Sequence, residues 1–326
     1  MLPVGKLPEQ VLKKIVLRRV GVLRDDVVLW PGYGEDAGAV KTSKDIYVFS
    51  MDPITGSKAF VGWLAVHASA NDVAVSGGRP EWFSSTILLP KGSGPDDLKK
   101  IVSQIHRACR GLGVAVVTGH SEVAPFVSAP VVVGHMTGKL VASKPIQSAG
   151  ARPGDQILMV KPVALEGAAI IATDFAEVLR RKGLSKEEVD RASGLIRKTS
   201  VVKEAIMLAK LGVNSMHDPT EGGLLGGLYE IAQAAGVGFE IDRTKVLTDP
   251  LVNKICAVME LDPLRLISSG TLVATAPKFD KRIIAKLKAR IIGKILPRRK
   301  GMRIIGDDES IKGPVQDELW RLLSSS

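Results

Sequence analysis

Cysteine and aromatic side chains are scarce in this 326-residue chain, and a long uninterrupted apolar run is missing altogether. The two cysteines, Cys109 and Cys256, each sit inside an apolar helical pattern (HRACRGLGV and VNKICAVMEL). That excludes a disulfide framework or a Cys-x-x-Cys metal site, and both read as core thiols. Aromatics make up 4% of residues, too few to build stacking platforms for single-stranded nucleic acid. No apolar stretch is long enough to cross a bilayer, and Met1 to Val20 intersperses Lys and Arg where a signal peptide keeps an apolar core. A cytoplasmic chain with no membrane partner is expected. Three nucleotide or nucleophile motifs are also missing. No Gly-x-Gly-x-x-Gly follows a strand and opens a helix, and no Gly-x-Ser-x-Gly elbow occurs. Gly134 to Leu140 imitates a Walker A loop, but has three residues between its glycines where four are required and Leu140 in place of Ser or Thr; it reads as strand and turn.

What is present is ample core material, 45% hydrophobic residues over a length that suits two domains. The net charge of +11 and pI of 9.6 invite a nucleic-acid reading. Along the sequence, however, the basic runs are short and scattered: Lys99-Lys100, Arg180-Arg181-Lys182, Lys281-Arg282 and Arg298-Arg299-Lys300. A solvated basic surface attracting anionic small molecules is the reading preferred, with nucleic acid not expected as a partner.

Periodicity organises the chain as α+β in the first half and alternating α/β in the second. PEQVLKKIVLRRV predicts an amphipathic opening helix, DIYVFSMD a strand ending on Asp52, and GWLAVHASANDVAVS a close-packed helix over 62–76. WFSSTILLP is a further strand, and Pro95-Asp96-Asp97 starts a helix running to about Gly111. GVAVVTGHSEVAP predicts a buried strand feeding a polar loop, and APVVVGHMTGKLV another strand. The small-residue stretch Ala149 to Asp155 marks a boundary, placing one domain at 1–147 and a second at 148–326. The second half predicts helices at 166–182, 186–198, 200–211, 223–235, 250–260 and 278–289, with strands QILMVKP, GVGFEID, TLVATA, RIIGKIL and MRIIGD. Leu319 to Ser326 predicts a short helix end followed by disordered serines.

Polar side chains cluster at a few places. Gly32 to Gly38 (GYGEDAG) sets Glu35 and Asp36 between glycines, a backbone that can approach a ligand beside carboxylates that can hold a cation. Asp52 at a strand end and Asn71-Asp72 in a helix add hard oxygen donors of the kind that suit Mg²⁺ carrying phosphates. Each alone also fits an ordinary turn. Gly119-His120-Ser121-Glu122 closes a strand with polar groups, where a hydrogen-bonded surface His is the plainer alternative. Met216 to Gly223 (MHDPTEGG) precedes the helix LLGGLYEIAQAAG, whose free N–H groups and dipole make a phosphate seat, with Asp218 and Thr220 as alternative caps. The glycines in its first turns cost roughly 1 kcal/mol each relative to Ala, which points to close approach of a ligand or a helix. His67 and His106 lie within helical patterns and carry no assigned chemistry.

In order along the chain, GEDAGAV, the strand end Ser50-Met51-Asp52, LAVHASANDVAVSGGRPEWF, TGHSEV, AGARPGDQILMVKPVALEGAAIIA and MHDPTEGGLLGGLYEIA resemble the aminoimidazole ribonucleotide synthetase (PurM-like) superfamily. The nearest branch is the hydrogenase-maturation HypE group and its AIR-synthase-related relatives. Nearly the whole chain is covered. The resemblance implies a PurM-like two-domain fold: an N-terminal domain whose strands pair across a homodimer into a β-barrel, and a C-terminal α/β domain, with ATP and Mg²⁺ between them. It implies metal-binding roles for Asp36, Asp52 and Asp72, and cofactor contacts at Gly34, Asn71, Gly119, His120, Gly222 and Gly223. His217, Asp218 and Thr220 would face the nucleotide or a small-molecule acceptor as catalytic residues. His120 stands where the family commonly has an acid. The HypE group works on a C-terminal Cys, and this sequence ends Arg321-Leu322-Leu323-Ser324-Ser325-Ser326, so cyanide-ligand synthesis by that route is not expected. The expected function is ATP- and Mg²⁺-dependent phosphorylation or activation of an acceptor oxygen. The alternative is a non-catalytic nucleotide-binding dimer, or a maturation protein that docks a protein partner.

Overall fold

The computed structural model describes residues 2, 5–306 and 310–324. Two six-stranded sheets are built one after the other along the chain. The first comprises β1 (Val27–Leu29), β2 (Gly38–Lys41), β3 (Ile46–Ile54), β4 (Gly78–Leu89), β5 (Ala115–Val123) and β6 (Val131–Leu140), in the order β1-β2-β3-β6-β4-β5. All its pairs are antiparallel except β4 with β5. Within one chain this sheet is open, so the barrel implied by the resemblance does not close here. Its helices are the short α1 (Glu9–Val11), α2 (Val61–Val75) and α3 (Pro95–Leu112).

Helix α2 is the hinge of the architecture. Fourteen of its fifteen residues are buried, because it is apolar or small on every side and is sandwiched between the two halves. Val61, Ala65, Val66, Ala70 and Val73 join the first-sheet core, while Leu64 joins the core of the second half. β6 admits it closely at Gly134, where a Cβ would lie 2.4 Å from Ala65 O. That glycine belongs to the apparent Walker loop, which is strand from Val131 to Leu140 with no turn.

The second sheet comprises β7 (Gln156–Val160), β8 (Ser215–His217), β9 (Val237–Asp242), β10 (Leu272–Ala276), β11 (Arg290–Pro297) and β12 (Met302–Ile305), in the order β12-β9-β11-β7-β10-β8. It alternates with α4 (Leu165–Asp174), α5 (Ala176–Arg181), α6 (Lys186–Ser193), α7 (Val202–Leu211), α8 (Gly223–Ala235), α9 (Pro250–Met259), α10 (Lys281–Leu287) and α11 (Glu318–Ser324). Despite that alternation only β12 with β9 is parallel. Between the sheets, residues 141–155 hold a single 3₁₀ turn at Ser148–Gly150. Both cysteines are buried free thiols, pushed up to about 12 by burial. No described helix is long and apolar enough to cross a membrane.

Several sequence expectations change. The opening helix turns π-helical at Leu12–Val16, leaving Ile15 and Val16 exposed. Strand β3 runs on past Asp52 to Ile54. The helix expected at 166–182 breaks at Phe175, and the one at 186–198 tightens to 3₁₀ from Gly194. The helix expected at 278–289 is shorter, α10. The three-residue strands β1 and β8 are too short to carry a period. TGHSEV is strand and not loop, and all nine residues of β5 are exposed, the reverse of the buried strand expected. The final serines, Ser325 and Ser326, lie outside the described residues, and Ser324 ends α11.

Candidate active site between the two domains

Four aspartates meet where α2, β3 and the loop before β2 face the end of β8. Alternation on β3 turns Ser50 and Asp52 to the same face, and Ser50 Oγ donates to Asp72 Oδ2 on α2 at 2.6 Å. Asp72 is fully buried, and its carboxyl is raised well above the ordinary value by burial and by the charges of Asp52 and Asp218. Asp218, one residue past β8, is likewise raised by burial and by Asp36. Both Asp218 carboxylate oxygens are buried without a hydrogen bond of ordinary geometry among the described residues. Its neighbour Asn71 is engaged across the domain boundary, donating to Thr199 O and accepting from Val201 N, each at 2.9 Å. Asn71 thus ties the two domains while its side chain also acts on Asp218.

His217 is the second tie. Its Nδ1 lies 2.8 Å from Asp36 Oδ2, with Ser148 Oγ at 3.3 Å, and its Nε2 lies 3.2 Å from Glu230 Oε2. Burial disfavours the charged ring, but Asp36 and Glu230 outweigh it and hold His217 well above the usual imidazole range. Glu230, on α8, also pairs with Lys6 and is held down at about 2 against its burial. The row Lys6, Glu230, His217, Asp36 is thus alternately charged and 1% exposed at the ring. Both ring nitrogens are engaged within the chain, by Asp36 and by Glu230, and the ring does not border the cavity described below.

The phosphate seat expected at α8 is also occupied from within. Gly222 N donates to Asp317 Oδ2 at 2.6 Å, Gly223 N to Thr220 O at 3.0 Å, and Leu225 N to Leu264 O at 3.1 Å. The glycines serve chain-to-chain approach. A Cβ on Gly223 would lie 2.7 Å from both Leu264 O and Leu266 O, and one on Gly34 would lie 3.0 Å from Glu230 O. Burial raises Asp317 to about 7 although it also accepts from Leu319 N at 2.7 Å. Glu35 holds the interdomain linker, accepting from Ser148 N and Ala149 N at 3.1 Å each. Gly119 and His120 are not brought to the aspartates; His120 sits on exposed β5 with Glu122 Oε2 3.1 Å from its Nε2.

A cavity of about 550 Å³ opens beside Asp52 and Thr220, bounded by Lys6, Glu166, Glu221 and Trp320. Glu166 is buried with its carboxyl raised, and accepts from Ser269 N at 3.2 Å. A second chamber of about 330 Å³, walled by Tyr33, Tyr229 and Asp317, adjoins it; both share Lys6, Glu221 and Trp320, whose indole donates to Glu221. Sequence reasoning missed Lys6, Glu166, Glu230 and Asp317. The two glutamates carried a signal, each a lone acid inside an apolar helical run (ALEGAAIIA and LYEIAQAA); Lys6 and Asp317 carried none.

The donor set fits Mg²⁺. Hard carboxylates converge, and neither buried Asp218 oxygen has a hydrogen bond of ordinary geometry among the described residues, the Asn71 side chain being the nearby group that favours its charge. Among the described residues no group of three or more His, Cys, Asp or Glu is arranged to hold a metal ion unaided, so water and phosphate oxygens would have to complete the coordination.

Residues 34–140 match the N-terminal domain of AIR synthase related protein, and residues 152–305 its C-terminal domain. The chain is 31% identical to the carbamoyl dehydratase HypE of Azotobacter vinelandii, covering 79% of this chain and 73% of that one. It is 33% identical to the hydrogenase expression/formation protein HupE of Azotobacter chroococcum, covering 74% and 68%. The fold superposes on the crystal structure of hydrogenase maturation protein HypE in complex with ATP with a TM-score of 0.71, at 24% identity and 98% coverage of both chains. With both domains matched in order and relatives at this level spanning most of its length, the chain belongs to the AIR synthase related family and is of the HypE type.

Proposed function

We propose that the interdomain cleft binds ATP with Mg²⁺ and phosphorylates or activates an oxygen of a small acceptor. The observation that carries this is Asp218, a carboxylate buried with neither oxygen in an ordinary hydrogen bond, beside three further aspartates. Such an arrangement is costly without a cation. The relatives named as carbamoyl dehydratases and the ATP-bound HypE of like fold support it. Asp52, Asp72 and Asp218 would hold the metal, which would supply neutralisation of phosphate charge. Asp36, steadied by His217, closes that set. Glu166, raised by burial and bordering the cavity, is placed to take the acceptor's proton. The adjoining chamber offers the acceptor a place, with Trp320 as the wall between.

The working unit is a homodimer on this reading. An edge strand of nine exposed residues, with Val116 and Val117 bare, is a pairing hazard that a second copy's β5 would cover. Light scattering should give a dimer for the wild type and a monomer for Val117→Lys; a wild-type monomer contradicts it. A non-catalytic reading has one observation in its favour, the α8 N-terminus already filled by Asp317. Release of ADP from MgATP, measured across acceptors covering amidine ribonucleotides, thiamine phosphate and thiocarboxamide peptides, separates the two. Acceptor-dependent ADP, lost in Glu166→Gln, supports catalysis; MgATP binding with no turnover on any acceptor supports the binding module.

A further inference from the structure

The excess positive charge, which looks dispersed along the sequence, has one address. Residues 278–303 hold eleven of the chain's 45 Lys and Arg but one of its 34 Asp and Glu, hence +10 of the net +11, leaving the other 300 residues almost neutral. All eleven side chains are exposed. The fold gathers most of them on one face, Arg290 excepted, which pairs opposite Met159 and donates to Lys245 O at 3.4 Å on the other side of the sheet. Lys294 on β11 and Arg303 on β12 both reach Glu240 on β9, at 3.3 and 3.2 Å, so the three share a side of the sheet. Lys294 lies opposite Gln156 of β7, whose Oε1 accepts from Phe279 N at 3.0 Å, seating the start of α10 on that same side. The inner positions of α10, Ile283, Ile284 and Leu287, pack down on the core, so Lys281, Arg282 and Lys286 project outward. The turn at Arg298–Lys300 extends the row beyond β11. Glu240 is the one carboxylate that ion-pairs with these cations among the described residues, and Asp280 is occupied capping α10 through Arg282 N. The acidic run at 307–309 follows outside the described residues.

We propose that residues 278–303 form a sequence-independent docking surface for the phosphate backbone of duplex nucleic acid. Protein interfaces have apolar, lysine-poor centres, whereas the only large apolar side chain exposed at this face is Ile305 at its rim. Single strands need stacking rings, and the one aromatic here, Phe279, is buried. What remains is dense charge along a face about 26 Å long, from eight β11 residues at about 3.3 Å each. A duplex, with one charge per about 1.7 Å, matches it, with on the order of five phosphates contacted.

The test is fluorescence anisotropy of the full chain with labelled duplexes of about 25 base pairs, DNA and RNA, from about 50 to about 300 mM KCl. Expected is binding at low salt with a slope of log K on log salt near −5, reduced in magnitude by about two in Arg298→Ala/Arg299→Ala/Lys300→Ala and similarly in Lys281→Ala/Arg282→Ala/Lys286→Ala. Lys99→Ala/Lys100→Ala should leave it unchanged. All these side chains are exposed, so a preserved melting temperature verifies folding. No binding at low salt overturns the proposal. So does a slope indifferent to both triple variants, or tighter binding to polyglutamate or to vesicles of anionic lipid at equal ionic strength.

Discussion

The interdomain cleft gathers acids with His217 and Lys6 set among them, the face built from 278–303 gathers cations, and the two are held by opposite means. In the cleft the charges are buried, and most are held individually: Asp36 by His217, Asp72 by Ser50, Glu230 by His217 and Lys6. On the basic face water does the work, and among the described residues only Lys294 and Arg303 have a carboxylate. Burial makes charge sensitive to every neighbour, so the cleft should answer sharply to single substitutions, metal and pH, while the basic face answers only to the sum of its charges and to salt.

The largest effect should come from His217→Phe. It leaves Asp36 and Glu230 buried without their common partner, and a loss on the order of 3–5 kcal/mol in denaturant unfolding is expected. A loss below about 1 kcal/mol would erase the distinction between the two regions. Next is Asp218→Asn. Removing a buried charge that lacks an ordinary hydrogen bond should stabilise the nucleotide-free protein by about 1–2 kcal/mol while weakening MgATP binding at least about tenfold; destabilisation of the free protein would mean Asp218 has a partner after all.

Dependence on pH comes third. Asp72, Asp218 and Asp317 all bind a proton more readily folded than unfolded. Their favourable contribution is full at low pH and lost as pH rises from the ordinary 3.8 through the folded value, about 7 for Asp317. His217, raised above 6.5, contributes below that value and loses its contribution as pH rises through its folded one. Glu230, at about 2, acts oppositely, but only as pH falls below 4.5. Between pH 6.5 and 8 the nucleotide-free protein should therefore lose stability, and Asp317→Asn should flatten that fall, whereas below 6.5 the buried His67, held down at about 4, acts in the opposite direction. Melting temperatures that rise from pH 6.5 to 8 would contradict these assignments. Smallest of all, the triple variant at 298–300 should leave the melting temperature unmoved even where it changes duplex binding.

The sequence made long periodic elements legible: α2, α3, α8 and α9 lie within a few residues of their expected places. It hid β1 and β8, since three residues carry no period, and misread β5, whose apolar residues imply burial that the single chain does not provide. At the site the aspartates were visible because acids among glycines and apolar runs are conspicuous. Their supports were not. Lys6 and Glu230 are 224 residues apart, Asp317 and Gly222 are 95, and nothing local in the chain encodes such pairings. The glycines of 222–223 were noticed for the right physical reason, close approach, but what approaches is the chain itself, at Val315 for Gly222 and at 264–266 for Gly223.

The most direct test of the central claim is calorimetric titration of ATP into the protein with and without Mg²⁺, for wild type and Asp52→Asn. Asp52 borders the cavity and is not among the residues tying the domains together. The prediction is Mg²⁺-dependent binding to the wild type that falls at least about tenfold in Asp52→Asn or when the metal is left out. Equal binding of ATP in all these conditions, or none in any, would contradict it.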